Sequence, residues 1–335
     1  MKSRDSIMPP NQLDQKNRVA ESDLIARILS GTGGLDSRVL LGPGDDGAIF
    51  ENQRTAISTD LTIEGVHFNR SWVSLPEVGY RAVMAAISDL AAMAADPFGL
   101  LISVAIPSEN SKETLEDLSL GFHKAITDVG ASLIGGDMSS SPGPIVMDVT
   151  VLGETDDLIT RKGICPGNEV WVTGVLGGSS GAVKIWLEGG KPPKGLRSSF
   201  VRPPFRVAEA RWLANTAGIK TMIDISDGLL KDAGHLANAS GMRIVLESNK
   251  VPLHPDLDSN IALPCGISGG EDYELCLVSE KDGLDPFVRM FQEKFEVELT
   301  RVGYVEEGSG IEVIGKDSEL LQQSWGFDHF STTEL

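Results

Sequence analysis

Thiols and imidazoles are scarce in this 335-residue chain, which has three cysteines and five histidines. Cys165, Cys265 and Cys276 form no Cys-x-x-Cys pair, which argues against a thiolate zinc site or a disulfide framework and fits a reducing, cytoplasmic setting. Positive charge is also short: 29 Lys and Arg stand against 48 Asp and Glu, for a net charge of −19. Such a surface repels nucleic acid and anionic membranes, and neither is expected as a partner. A nucleotide could bind only with cations between its phosphates and the carboxylates. No run approaches the ~20 uncharged apolar residues of a membrane helix. Residues 1–17 are polar and lack an apolar core, so a frayed tail is expected there and no secretory signal.

What remains is an ordinary globular composition, 41% hydrophobic, in a chain too long for one core. Alternating apolar runs and helical patterns predict an α/β (α+β) fold in two domains. The boundaries are read as a tail at 1–18, an N-terminal domain at 19–155 and a C-terminal domain at 156–335. Helices are predicted at 19–29, 76–95, 111–129, 182–187, 203–217, 229–239 and 286–294. Strands are predicted at 38–41, 48–50, 54–58, 98–106, 131–134, 145–153, 169–173, 221–225, 243–246, 297–305 and 311–314, with one more ending at Val278. Residues 189–196 read as a Gly/Pro/Lys loop.

Aspartates recur at the ends of these elements. Gly42, Gly44 and Gly47 have G-x-G-x-x-G spacing, but Asp45 and Asp46 sit within the loop and would repel a bare pyrophosphate. Two readings of the loop stand: a solvated Asx-rich turn or a metal-binding one. Ser58-Thr59-Asp60 closes a β-prone run. Asp89 lies inside an Ala- and Met-rich helix, where a carboxylate is costly unless paired or metal-bound. Asp137 follows a glycine pair that lets a ligand approach the backbone. Ile223-Asp224-Ile225-Ser226-Asp227-Gly228 reads as a strand end, a tight turn and a helix start that project two carboxylates and a hydroxyl. Oxygen-only ligands of this kind suit Mg²⁺, and several such ions suggest phosphoryl chemistry on a nucleotide. The glycine-rich stretch 174–181 ahead of a helix is a further candidate phosphate cradle. Gly310–Lys316 mimics a P-loop, but Asp317 replaces the hydroxyl residue and the middle reads as a strand. His67, taken alone, reads as a partnered core histidine.

Seven segments, taken in order, carry a resemblance. They are Gly44-Asp45-Asp46; Ser58-Thr59-Asp60 with Glu64-Gly65-Val66-His67-Phe68; Ser88-Asp89-Leu90-Ala91-Ala92-Met93; Gly135-Gly136-Asp137; Asp224-Ile225-Ser226-Asp227-Gly228-Leu229; Gly269-Gly270-Glu271-Asp272-Tyr273-Glu274-Leu275; and Gly326-Phe327-Asp328-His329-Phe330. Over residues 20–330 the chain resembles the thiamine-monophosphate kinase family, and the last segment separates that family from its relatives.

The resemblance implies a two-domain aminoimidazole ribonucleotide synthetase-like fold. Its N-terminal α/β domain would pair across a homodimer and be followed by a C-terminal α+β domain. It implies phosphorylation of thiamine monophosphate by ATP with several Mg²⁺ ions, by direct in-line transfer. Asp46, Ser58, Thr59, Asp60, Asp89, Asp137, Asp224 and Asp227 would hold metal, with Asp224 and Asp227 nearest the transfer and no residue acting as acid or base. Gly136, Asp137, Arg161 and Ser226 would contact ATP. His67, Glu271 and Phe327 would line the acceptor site. The chain departs from the family pattern at Gly47, at Ala86-Ile87, at Met138-Ser139 where two threonines are usual, and at Phe327 where Tyr or Trp is common. Two other readings are another ATP-dependent synthetase of the superfamily, and a non-catalytic nucleotide- or thiamine phosphate-binding protein. The cysteines do not stand where selenophosphate synthetase or the hydrogenase-maturation relative would need them.

Overall fold

A computed structural model describes residues 39–41, 45, 48–50, 54–109 and 111–315. All of them lie within one compact unit, Leu35–Phe327. The helix expected at 19–29 and the aromatic segment at 325–330 fall outside the described residues.

The first sheet contains β1 (Val39–Leu41), β2 (Ala48–Phe50), β3 (Thr55–Ile63), β4 (Asp96–Pro107), β5 (Ser132–Ser141) and β6 (Val146–Glu154). Its spatial order is β1-β2-β3-β6-β4-β5. Only β4 and β5 run parallel, and helix α2 (Ser111–Val129) supplies the crossover that a parallel pair requires. Leu100, Ile102 and Val104 of β4 and Met147, Val149 and Val151 of β6 are buried on one face. Register places Asp60 opposite Val149 and Val149 opposite Ile102, so Asp60 shares that face.

Helix α1 (Leu75–Ala92) covers this face. Pro76 lies in its first turn, and the Glu77 carboxylate accepts the Ser74 backbone N–H at 2.9 Å, as in a capping box. Ala82, Ala85, Ala86, Ala91 and Ala92 are all buried. A helix apolar on nearly every side must be enclosed on nearly every side, and the second half of the chain closes over α1.

That half carries β7 (Glu169–Thr173), β8 (Thr221–Asp224), β9 (Arg243–Glu247), β10 (Leu275–Ser279), β11 (Leu299–Glu306) and β12 (Gly310–Ile314), in the order β12-β9-β11-β7-β10-β8. Its helices are α3 (Gly178–Leu187), α4 (Lys194–Val201), α5 (Val207–Thr216), α6 (Leu229–Ser240), α7 (Ala262–Ser268) and α8 (Asp285–Phe295). Helix α4 docks on α1. Both terminal nitrogens of Arg197 donate to the Glu77 carboxylate at 2.7 and 2.8 Å. Nearby, Trp72 stacks on Trp186 with ring centroids 5.4 Å apart.

Several sequence expectations need correction. The loop read at 189–196 ends early: residues 194–196 already belong to helix α4, because Leu196, Phe200 and Val201 find burial sites that local composition does not reveal. Helix α7 escapes periodicity because it is one short segment containing Pro264 and Gly266. Helix α5 begins at Val207, after Pro203 and Pro204, rather than at 203. Asp60 and Asp137 lie within strands β3 and β5, not at strand ends. The P-loop mimic is strand β12, as its sequence suggested. Among the described residues no helix is long and apolar enough to cross a membrane.

Candidate active site

Two consecutive residues of α1 make hydrogen bonds that involve acids, one within the first half of the chain and one to the second. Asp89 accepts a hydrogen bond from the Ser58 hydroxyl of β3 at 2.5 Å. Buried Ser88 donates to Oδ2 of Asp224, the last residue of β8, at 2.7 Å. Asp224 is only 3% exposed. Asp60 lies two residues along β3 from Ser58, on the same face. Its carboxyl is pushed up to about 6, first by burial and then by the nearby Glu271 charge, against the pull of the Arg81 guanidinium. Three carboxylates from two halves of the chain therefore lie beside α1, Asp224 buried and Asp60 and Asp89 half-buried.

Arg81 is the buried cation of this region. Its Nη1 donates to the Phe200 carbonyl at 2.7 Å, its Nη2 pairs with Oε1 of Glu271, and its guanidinium lies 4.0 Å from the Phe200 ring centroid. Charged neighbours raise its pKa further, against the opposing effect of burial.

The turn after β8 and the loop 269–274 form one unit. Glu271 N–H donates to Ser226 O at 2.7 Å, Tyr273 N–H to Ile225 O at 2.8 Å, and Ile225 N–H to Glu274 O at 2.8 Å. Gly270 permits this approach, since a Cβ there would lie 2.4 Å from Ser226 O. Glu271 and Tyr273 are left-handed at φ 68° and 51°, a conformation costing about 1–2 kcal/mol per non-glycine residue. The backbone bonds and the Arg81–Glu271 pair hold the loop in that form. Next to it, buried Asp272 accepts the Gly177 N–H at 2.8 Å and the Ser179 N–H. Burial pushes its carboxyl well up despite those donors. The sequence suggested a phosphate cradle at 174–181; the structure corrects this, because the chain's own Asp272 carboxylate already takes these amides at the start of α3.

The other expected residues lie around this centre or apart from it. Asp227 pairs with Lys231 at 2.7 Å. Its carboxylate also groups with Asp232 and His235, their ligand atoms all within 4.8 Å of one another. Arg161 lies beside Asp45, which accepts the Arg161 backbone N–H at 3.0 Å. His67, in the turn after β3, accepts the Ile63 N–H on Nδ1 at 3.0 Å, so a neutral ring carries its proton on Nε2. Thr59 points to the opposite face of the sheet from Asp60, where its hydroxyl donates to Asp148 at 2.9 Å. Gly136 pairs with Ile102 and Asp137 with Ser103, so Asp137 also projects from that opposite face. Asp137 stands three strand spacings, roughly 14 Å, from β3. Within one chain the structure therefore does not bring Thr59 or Asp137 to the cluster at α1. Gly136 has its own steric reason: a Cβ there would lie 2.0 Å from Ile102 O. Asp46 and Phe327 lie outside the described residues.

Carboxylates and hydroxyls make up the donor set at α1, and Asp60 is held there at a desolvation cost that a bound cation would relieve. Such a site fits a hard divalent ion. The sequence reading missed Arg81, Asp148, Asp232 and His235. Asp232 and His235, three apart on one helix and close after Asp227, were open to detection. Arg81 was not, since its partners lie more than a hundred residues away.

Residues 44–155 match the AIR synthase related protein N-terminal domain, and residues 165–316 the corresponding C-terminal domain. A thiamine-monophosphate kinase of Aquifex aeolicus is 33% identical, covering 88% of this chain and 94% of that protein. The Escherichia coli protein of the same name is 30% identical, covering 93% and 98%. Among solved structures, AaThiL complexed with AMPPCP and TMP aligns with a TM-score of 0.79 at 30% identity, covering 95% of this chain and all of that one. The hydrogenase maturation protein HypE of E. coli, with a TM-score of 0.68 at 16% identity, shares the fold. By its two matched domains and its near full-length relatives, the chain belongs to the thiamine-monophosphate kinase family of AIR synthase related proteins.

Proposed function

We propose that this protein transfers the γ-phosphoryl group of ATP to thiamine monophosphate, giving ADP and thiamine diphosphate. The observation that carries this reading is the meeting of Asp60, Asp89 and Asp224 beside α1, in a chain that matches thiamine-monophosphate kinases over nearly its whole length. Asp60, Asp89 and Asp224 with Ser58 would hold Mg²⁺, and Asp46 and Asp227 would extend the set; Thr59 and Asp137, on the opposite face of the first sheet, stand apart from it. Mg²⁺ bound there would neutralise phosphate charge and help align the attacking and leaving oxygens.

The chain's own residues do the rest. The acceptor phosphate oxygen is already anionic, so the transfer needs no general base, and catalysis is positioning plus charge compensation. Arg161 is the fixed cation for the ATP phosphates, with Gly136 and Ser226 as further contacts. His67, Glu271 and Phe327 line the acceptor site. The rigid loop 269–274 presents Glu271 next to the metal-bearing turn, so that acceptor and donor share one cleft.

We assign residues 19–155 and 156–335 as the two domains and the first sheet as a homodimer surface. Strand β5 is an edge strand exposed along nearly its whole length, and it carries Leu133, Ile134 and Met138, each more than half exposed. An apolar open edge of this kind invites a second copy. Asp137 would then lie at the interface. The free cysteines Cys165, Cys265 and Cys276 support a reducing, cytoplasmic setting.

The test is to incubate the purified protein with ATP, Mg²⁺ and thiamine monophosphate and separate the products. Thiamine diphosphate and ADP should appear in equal amounts. Product from thiamine but not from its monophosphate would refute the acceptor assignment.

A further inference from the structure

Three residues of α1 reach into the second half of the chain. Glu77 is held by Arg197, Arg81 by Phe200 and Glu271, and Ser88 by Asp224. Arg81 and Ser88 are seven residues apart on one helix, which fixes about 10 Å between them along its axis. One end of this span is bonded to the turn that bears Asp224, the other to the loop that bears Glu271.

The guanidinium is built into its place. Arg81 is 4% exposed. It donates to the Phe200 carbonyl near the end of α4, lies over the Phe200 ring and within 5.7 Å of the Tyr273 ring centroid, and pairs with Oε1 of Glu271. The Glu271 side chain stays 26% exposed. The carboxylate is thus anchored to Arg81 while its side chain keeps some contact with solvent. A lysine could keep the charge but could not reach a carbonyl, a carboxylate and a ring face together, because its ammonium is a compact point charge without the planar fork of a guanidinium.

We propose that Arg81 is a positioning residue for the transfer reaction. It locks Glu271 against α1 and so sets the acceptor site at a fixed distance from the Asp89 carboxylate and from the Asp224 carboxylate that Ser88 holds. The inference rests on the kinase reading above. It predicts a selective defect: loosening Glu271 should weaken acceptor binding and leave the nucleotide side nearly intact.

Arg81→Lys should raise KM for thiamine monophosphate by about tenfold to a hundredfold, the usual loss when a supporting partner of a binding group is removed. KM for ATP should stay within about twofold. The Arg81→Lys/Glu271→Gln double variant should bind thiamine monophosphate no more weakly than Glu271→Gln alone, because residues acting as one unit are not additive. Calorimetric titration of thiamine monophosphate in the presence of AMPPCP gives the same comparison without turnover. If Arg81→Lys does not fold, Arg81→Met/Glu271→Gln should fold and still bind acceptor as weakly as Glu271→Gln. Equal rises in both KM values, an unchanged KM for thiamine monophosphate, or multiplying effects in the double variant would overturn the proposal. A wild-type protein that makes no thiamine diphosphate would instead overturn the kinase reading.

Discussion

Asp60→Asn removes a charge that folding desolvates, and its effect on stability has a worked sign and size. Burial lifts the Asp60 carboxyl from 3.8 to about 6. The native chain therefore holds this proton more tightly than the unfolded chain does. Its contribution to stability is complete below about pH 4 and is lost as pH rises through about 6. The ionised group costs the folded state about 1.5 kcal/mol at pH 5 and about 3 kcal/mol at pH 7.5. Asparagine mimics the neutral acid, so the metal-free variant should exceed wild type by about those amounts at the two pH values. The gain at pH 7.5 corresponds to a Tm rise of about 4 °C in a protein of this size. The assay is urea denaturation of chelator-treated protein at both pH values. Added Mg²⁺ should then stabilise wild type by mass action and do much less for the variant. A variant no more stable than wild type at pH 7.5, or a gain of equal size at pH 5, would refute the reasoning.

Asp224→Asn and Asp227→Asn should each lower turnover by orders of magnitude while the circular dichroism spectrum is retained; near-normal activity in the purified double variant would remove both from the site. Gly136→Ala must place a Cβ 2.0 Å from Ile102 O, so β5 should shift and the protein lose about 1–3 kcal/mol, visible as a lower Tm. Leu133→Lys/Met138→Lys should convert a dimer to monomer in sedimentation, with loss of activity; an unchanged sedimentation coefficient would move the dimer surface elsewhere.

The elements most legible from sequence were those with long or alternating local patterns. Helix α2 occupies the predicted 111–129 and β7 the predicted 169–173. Strands β3 and β5 were underestimated because Ser-Thr-Asp and Gly-Gly-Asp read as turns. In the sheet their backbone groups are claimed by β6 and β4, partners far along the chain. Helix α4 failed for a similar reason, since its stability comes from docking on α1 rather than from propensity. Among site residues, the acids announced themselves as charges in apolar surroundings. Arg81 gave no such signal, because a lone arginine in a helix can as easily extend into solvent.

By itself the sequence determined the inventory: two α/β halves, a deficit of thiols and cations, and aspartates set in glycine turns and in one apolar helix. These follow from backbone periodicity and side-chain chemistry, which act over a few residues. Only the tertiary structure decided which acids meet. Strand register turned Asp60 toward α1 and Asp137 away from it, since adjacent strand residues face opposite sides of a sheet. Docking of the second half brought Asp224 to Ser88 and Glu271 to Arg81. It also spent the amides of a glycine loop on Asp272, where local reading had placed a phosphate. Such pairings depend on partners far apart along the chain, which no local pattern encodes.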